Sequence, residues 1–155
     1  MKLTLLVVGR TTDKRLEALI DEYRDRLKHY IPFEMKVIPE LKNAKNLSQA
    51  QQKTAEGELI LHEAGNNYVV LLDEHGKEMR SIEFADWLQK RQTAGRDVIF
   101  VIGGPYGFAE SVYQRADGKI SLSQMTFSHQ MIRLLFVEQI YRAMTILRGE
   151  PYHHE

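Results

Sequence analysis

Three short segments, each following an apolar run, carry residue types able to do chemistry. In Leu71-Leu72-Asp73-Glu74-His75-Gly76 an acid arrives where the run ends. Asp73 can accept hydrogen bonds from a ligand there or cap a turn closed by Gly76. Ile102-Gly103-Gly104-Pro105-Tyr106-Gly107 puts three glycines into five positions, so the backbone can approach a bound molecule and present N–H and C=O groups to it. A tight crossover would use the same glycines. The spacing is neither the dinucleotide fingerprint nor the phosphate loop with its Lys, which argues against nicotinamide cofactors and nucleoside triphosphates. The third segment, Leu122-Ser123-Gln124-Met125-Thr126-Phe127-Ser128-His129, is polar and soft and leads into a long apolar stretch. Ser128 fits an N-cap there, and Phe127 fits a staple onto Ile132. Farther on, Glu138 and Arg142 stand four apart, as an intrahelical ion pair or as a phosphate-binding arginine oriented by an acid. The end, Pro151-Tyr152-His153-His154-Glu155, offers a stacking aromatic and two imidazoles beside a rigid proline, at a terminus where fraying is the ordinary expectation.

The elements that must hold these segments alternate between buried strand and amphipathic helix, which predicts an α/β fold with a mostly parallel sheet and helices on both faces. Strands are expected at Lys2 to Val8, Met35 to Ile38, Tyr68 to Leu72, Val98 to Ile102 and Lys119 to Leu122. A first helix runs from about Asp13, with Leu16, Leu19, Ile20, Tyr23, Leu27 and Tyr30 on one face, until Pro32 stops it. A second, from Ser48 to about Ala64, is weakened by Gly57. Ser81 suits the cap of a third, which Gly95 closes. The last, from about His129 to Leu147, is apolar on more than one face, which predicts a homodimer interface that includes Leu135 and Ile140. In such sheets ligands bind beyond the carboxyl ends of strands, where all three chemical segments fall.

Composition bounds the rest. A chain of 155 residues, 43% of them hydrophobic, makes one domain over residues 1–155 with a substantial core. With no cysteine there is no disulfide, thiolate metal site or cysteine nucleophile, and a cytoplasmic protein is the default reading. The apolar run Leu3 to Val8 is too short for a membrane span. Lys plus Arg and Asp plus Glu both number 21, so there is no global basic field for gripping bare nucleic acid. Local patches would have to serve: Arg10, Lys14 and Arg15, and Arg133, Arg142, Arg148, His153 and His154. The six histidines form no spaced set with carboxylates, so no metal site is expected. A receiver-like module with Asp73 as phosphoacceptor is the rival class, but the opening strand ends without the further acids its Mg²⁺ would need.

Taken in order, Gly103-Gly104-Pro105-Tyr106-Gly107, Ser121-Leu122-Ser123 through His129, and Arg148-Gly149-Glu150-Pro151-Tyr152-His153-His154 give the chain a whole-length resemblance to the RlmH (YbeA-like) methyltransferases, the smallest of the knotted SPOUT class. The resemblance implies a deep C-terminal trefoil knot, S-adenosylmethionine as cofactor, and methylation of a ring nitrogen of a pseudouridine in large-subunit ribosomal RNA. The substrate it suggests is the assembled ribosome, held in a composite site built by both subunits of a homodimer. It places the cofactor among Leu72, Gly103, Gly104, Leu122, Ser123, Gln124, Met125, Thr126 and Phe127; the residue types themselves add Asp73 and Ser128 to that set and offer His129, Arg142, Tyr152 and His153 for substrate or catalytic roles. A methyl sulfonium is already electrophilic and leaves as a neutral thioether, so no metal is called for; positioning and removal of one proton are the protein's share.

Overall fold

Leu3 to Val8 and Val98 to Ile102 are buried at every position, the signature of strands covered on both faces. In the computed structural model, which describes residues 1–154, they form the middle of a fully parallel sheet. Its strands are β1 (Leu3–Val8), β2 (Phe33–Ile38), β3 (Tyr68–Glu78), β4 (Val98–Ile102) and β5 (Gly118–Ser121), in the order β2-β1-β4-β3-β5. The helices are α1 (Lys14–Leu27), α2 (Gln49–Ala64), α3 (Ser81–Ala94), α4 (Glu110–Arg115) and α5 (Met131–Leu147). Alternate strand residues feed two cores. Leu3, Leu5, Val7, Val70, Phe100 and Ile102 pack with side chains of α1, α3 and α5; Leu6, Val8, Val69, Leu71, Ile99 and Val101 pack with α2 and α4. Crossovers over the first face step one way along the sheet and those over the second step the other, so all four share one hand, as parallel crossovers must.

Local chemistry sets the boundaries. Asp13 caps α1 by accepting the N–H groups of Arg15 and Leu16, and Ser48 and Gln51 form a reciprocal capping box on α2. Gly57, which weakened the expectation of that helix, is there for packing: a Cβ on it would stand 3.0 Å from the Ala109 Cβ. Gly95 ends α3 in the left-handed region at φ 81, but the cap at its start is Arg80, whose N–H donates to Glu83. Ser81 is the first helical residue and gives its hydroxyl to Gln139 instead. The sequence reading contained neither α4 nor a single 3₁₀ turn at Ala44–Asn46. It also stopped β3 too early. Past a bulge between Leu72 and Lys77 the strand pairs β5 again, and Gly76 serves a close approach there, since a Cβ would meet the Ile120 backbone nitrogen at 2.7 Å. No described helix is long and apolar enough to cross a membrane.

Candidate active site

β3 and β4 are neighbours whose connections leave to opposite faces of the sheet, and β5 flanks β3 on its other side. Such a divergence opens a crevice at the carboxyl ends. A cleft of about 520 Å³ lies there, walled by Leu72 to His75, by Ile102 to Pro105 with Gly107 and Phe108, by Tyr113, and by Ile120 to Ser123 and Met125 to His129 with Ile132. The three segments singled out in the sequence therefore meet in one place. Of the residues assigned to the cofactor, only Gln124 lies outside the lining, exposed to solvent.

The walls are tied to one another. Thr126 donates its hydroxyl to Glu74 at 3.0 Å, joining the third segment to the first, and Ser123 folds its own loop by accepting the Met125 N–H at 3.0 Å. Gly103 and Gly104 have no room for side chains: a Cβ would meet the Phe108 ring at 3.0 Å in the first case and the Glu56 carboxylate at 2.6 Å in the second. Asp73 accepts the His75 N–H at 2.8 Å and the Tyr113 phenol hydroxyl, so it combines the turn-capping and site-facing roles. Burial alone would raise the Asp73 pKa, but the Tyr113 and His75 hydrogen bonds and the His75 and Lys119 charges hold it below its ordinary value. Burial and the same carboxylate push the Tyr113 phenol well above its ordinary range, so it remains a donor. Tyr113 comes from α4 and was missed by sequence reasoning with that helix; one aromatic in a six-residue segment gave no signal.

Ser128 does cap the start of α5: its hydroxyl accepts the Met131 N–H at 3.1 Å and its carbonyl the Ile132 N–H at 3.1 Å, ahead of the regular helix that begins at Met131. Beneath this turn lies Arg133, fully buried. It donates to the Val8 and His129 carbonyls at 2.8 and 3.0 Å and to the Thr11 hydroxyl at 3.2 Å. Arg133 therefore cannot contact RNA phosphate, as its place in a basic patch required; it braces the cleft from below.

Arg142, Tyr152 and His153 gather elsewhere. Glu138 Oε1 accepts both Arg142 Nη2 at 2.6 Å and the Tyr152 hydroxyl at 2.9 Å, and Arg142 Nη1 donates to His153 Nδ1 at 3.1 Å. The Arg142 guanidinium lies over the Tyr152 ring, 4.8 Å from its centroid. Burial, followed by bonds to Tyr23 and Glu138, lifts the Tyr152 phenol above its ordinary range. The expected fraying is absent up to His154. Glu150 accepts the Tyr30 hydroxyl at 2.6 Å, a bond that with burial raises that phenol to about 12, and Arg148 holds the His29 carbonyl at 2.7 Å. This cluster is not in the cleft. His129 is, but about 17 Å of helix rise separates Met131, near it, from Arg142. Among the described residues no group of three or more His, Cys, Asp or Glu side chains is placed to hold a metal ion.

A crossover-rich parallel sheet with a glycine-walled cleft at its carboxyl edge defines a small-molecule-binding α/β protein. Comparison with known proteins makes this particular: residues 1–153 match the family model described as "Predicted SPOUT methyltransferase", and the chain belongs to that family. The protein called "Ribosomal RNA large subunit methyltransferase H" in Bacteroides thetaiotaomicron is 63% identical over 157 residues, with 100% of each chain covered. Its namesakes in Phocaeicola vulgatus and Flavobacterium johnsoniae are 62% and 54% identical over the same span and coverage. Among solved structures, a probable methylase family protein from Haemophilus influenzae superposes with a TM-score of 0.55 at 11% identity, covering 99% of this chain and 70% of its own, which shows the shared fold. S-adenosylmethionine is the methyl donor that family membership brings. The cleft suits it: Gly103 and Gly104, crowded from behind by Phe108 and Glu56, present only backbone to a space large enough for a nucleoside with an amino-acid arm.

Proposed function

We propose that this protein, a cytoplasmic single-domain enzyme, transfers the methyl group of S-adenosylmethionine to N3 of a pseudouridine in large-subunit ribosomal RNA, acting on the assembled ribosome as a homodimer. The relatives' name supports the ribosomal substrate, and the convergence of the three strand-end segments on one cleft supports the cofactor's place. The separation of Arg142, Tyr152 and His153 from that cleft carries the dimer reading. On the outer side of α5, Met131 is exposed and Leu134 and Leu135 are half-buried near the cleft end, while Glu138 lies at mid-helix and Arg142 beyond it toward the other end. Two copies packed antiparallel through this helix bring the arginine and tyrosine of one beside the cleft of the other, in a closed two-fold contact. The path from β5 back to α5, which packs against α1 and α3, is the stretch assigned to the trefoil knot.

Bound in the cleft, the cofactor supplies an electrophilic methyl group. The chain's own residues do the rest. Backbone groups of Gly103, Gly104, Leu122, Ser123 and Met125 to Phe127 hold the donor, and His129, which lines the same cleft, receives the ring N–H proton. Arg142 and His153 hold the RNA phosphate, and Tyr152 stacks on the target base. The test is methyl transfer from radiolabelled S-adenosylmethionine to intact ribosomes and to free 23S RNA, both from cells lacking the protein, followed by mass spectrometry of the RNA. One new methyl on a pseudouridine, formed on ribosomes and not on free RNA, is expected; label on another nucleoside or only on free RNA overturns the reading.

A further inference from the structure

Both oxygens of Asp73 are engaged within the protein, each by one donor: Oδ1 by the His75 N–H at 2.8 Å and Oδ2 by the Tyr113 hydroxyl. A carboxylate oxygen accepts more than one hydrogen bond, so each retains an acceptor position, and their directions are fixed because the carboxylate cannot turn. Both residues line the cleft. Tyr113 is itself held on two sides. The Lys119 ammonium lies 5.5 Å from its ring centroid, and Phe108 meets it edge-on at 5.7 Å. Phe108 is also the ring packed against Gly103, so α4 and the residue leading into it back two cleft walls through one aromatic pair. A rigid carboxylate with two directed acceptor sites matches a vicinal diol, whose two hydroxyls donate side by side.

We propose that Tyr113 is a positioning residue of the cleft, fixing Asp73 so that its open acceptor sites receive the ribose hydroxyls of S-adenosylmethionine. This rests on the cleft being the cofactor site. The ribose is common to S-adenosylmethionine and S-adenosylhomocysteine, so the interaction is blind to the methyl group. Removing the phenol hydroxyl in Tyr113→Phe weakens both ligands equally, by about fivefold, the scale of one hydrogen bond. Asp73→Asn weakens both by about tenfold or more. Because the two side chains act as a unit, Tyr113→Phe costs at most about twofold when added to Asp73→Asn.

The charged and titratable groups facing Asp73 are His75 on its own strand, Lys119 on β5, and Tyr113 with Glu110 on α4. Tyr113→Phe leaves all of them except the phenol, which lowers the Asp73 pKa; without it Asp73 takes up its proton at higher pH. The acid limb of cofactor affinity therefore moves upward relative to wild type, a change that loosened packing alone does not produce. Isothermal titration with both ligands across pH, on the intact protein, tests this, with Thr126→Trp as a control that fills the cleft. Equal losses for the two ligands, an upward-shifted limb and non-additivity with Asp73→Asn support the assignment. Unchanged affinity and limb in Tyr113→Phe, with binding abolished in Thr126→Trp, overturn the tyrosine's role and leave the cleft standing. Full additivity of the two substitutions overturns it as well, and undiminished binding in Thr126→Trp overturns the cleft reading beneath it.

Discussion

Arg133 shows what a residue's type alone does not reveal. Its charge suggested a phosphate contact; its position makes it a brace whose guanidinium donates to two backbone carbonyls and a hydroxyl in three directions. Burial lowers its pKa, the mark of a desolvated cation with no carboxylate among its hydrogen-bond partners. Replacing a buried ion pair with apolar groups is often tolerated, because both partners are replaced together. Here the acceptors are main chain and remain after any substitution. Arg133→Met therefore leaves the Val8 and His129 carbonyls without this donor, and a loss of about 2 to 4 kcal/mol is expected in urea unfolding. Arg133→Lys should recover little, since one ammonium on a flexible stem does not reproduce the planar fork. A Met variant as stable as wild type would show that the brace is dispensable. Asp73 was partly legible: its place after a buried apolar run offered either a turn cap or a ligand-facing acid, the structure has it both accepting the His75 N–H and lining the cleft, and its tyrosine partner lay beyond reach.

At the scale of elements, the strands and long helices followed from period and burial, because a strand hidden on both faces admits few sequences. What was missed lacks a local signal. α4 has six residues and no side-chain cap, and it exists because Val112 and its neighbours fill the space beside α2. The extension of β3 to Glu78 is polar and relies on pairing with β5 across a bulge. Gly57 misled in the other direction, reading as a defect of α2 when it is the point at which two helices touch. Its replacement sets two effects against each other: Ala gains about 1 kcal/mol of helix propensity, while the new methyl, 3.0 Å from the Ala109 Cβ and 3.3 Å from Val112 Cγ2, costs about 1 to 3 kcal/mol of overpacking. The contacts are with packed side chains next to backbone, so the steric effect wins and Gly57→Ala lowers the melting temperature. Ala109→Gly removes the colliding methyl at an N-cap, where glycine is accepted. The double variant should melt above the Gly57→Ala single; a double that melts below it would place the strain elsewhere.

At the scale of the molecule, α5 divides into a face that builds the protomer and a face left over. Ile140, assigned from sequence to the dimer contact, is fully buried among Phe136, Val137 and Ala143 in the protomer's own core. Helical period could not separate the two faces, because apolar residues cover both. Ile140→Asp should therefore unfold the chain, whereas Leu135→Asp, on the outer face, should give a folded monomer in sedimentation; a dimer that survives Leu135→Asp removes this face from the contact. The same division predicts complementation. If each active site joins the cleft of one copy to the Arg142 and Tyr152 cluster of the other, a protomer with a blocked cleft (Thr126→Trp) still lends a good tail, and one with a damaged tail (Tyr152→Ala) still lends a good cleft. Each homodimer is inactive. In the mixed dimer one site inherits both lesions and the other inherits neither. Random re-association makes half the dimers mixed, and half the sites in those are intact, so equal mixing should restore about a quarter of wild-type methyl transfer. Sites built within single chains cannot gain from mixing, because every chain carries one lesion. Activity that stays at the level of the separate variants after subunit exchange, verified by mass, would return Arg142, Tyr152 and His153 to a structural role and leave catalysis to the cleft of each chain alone.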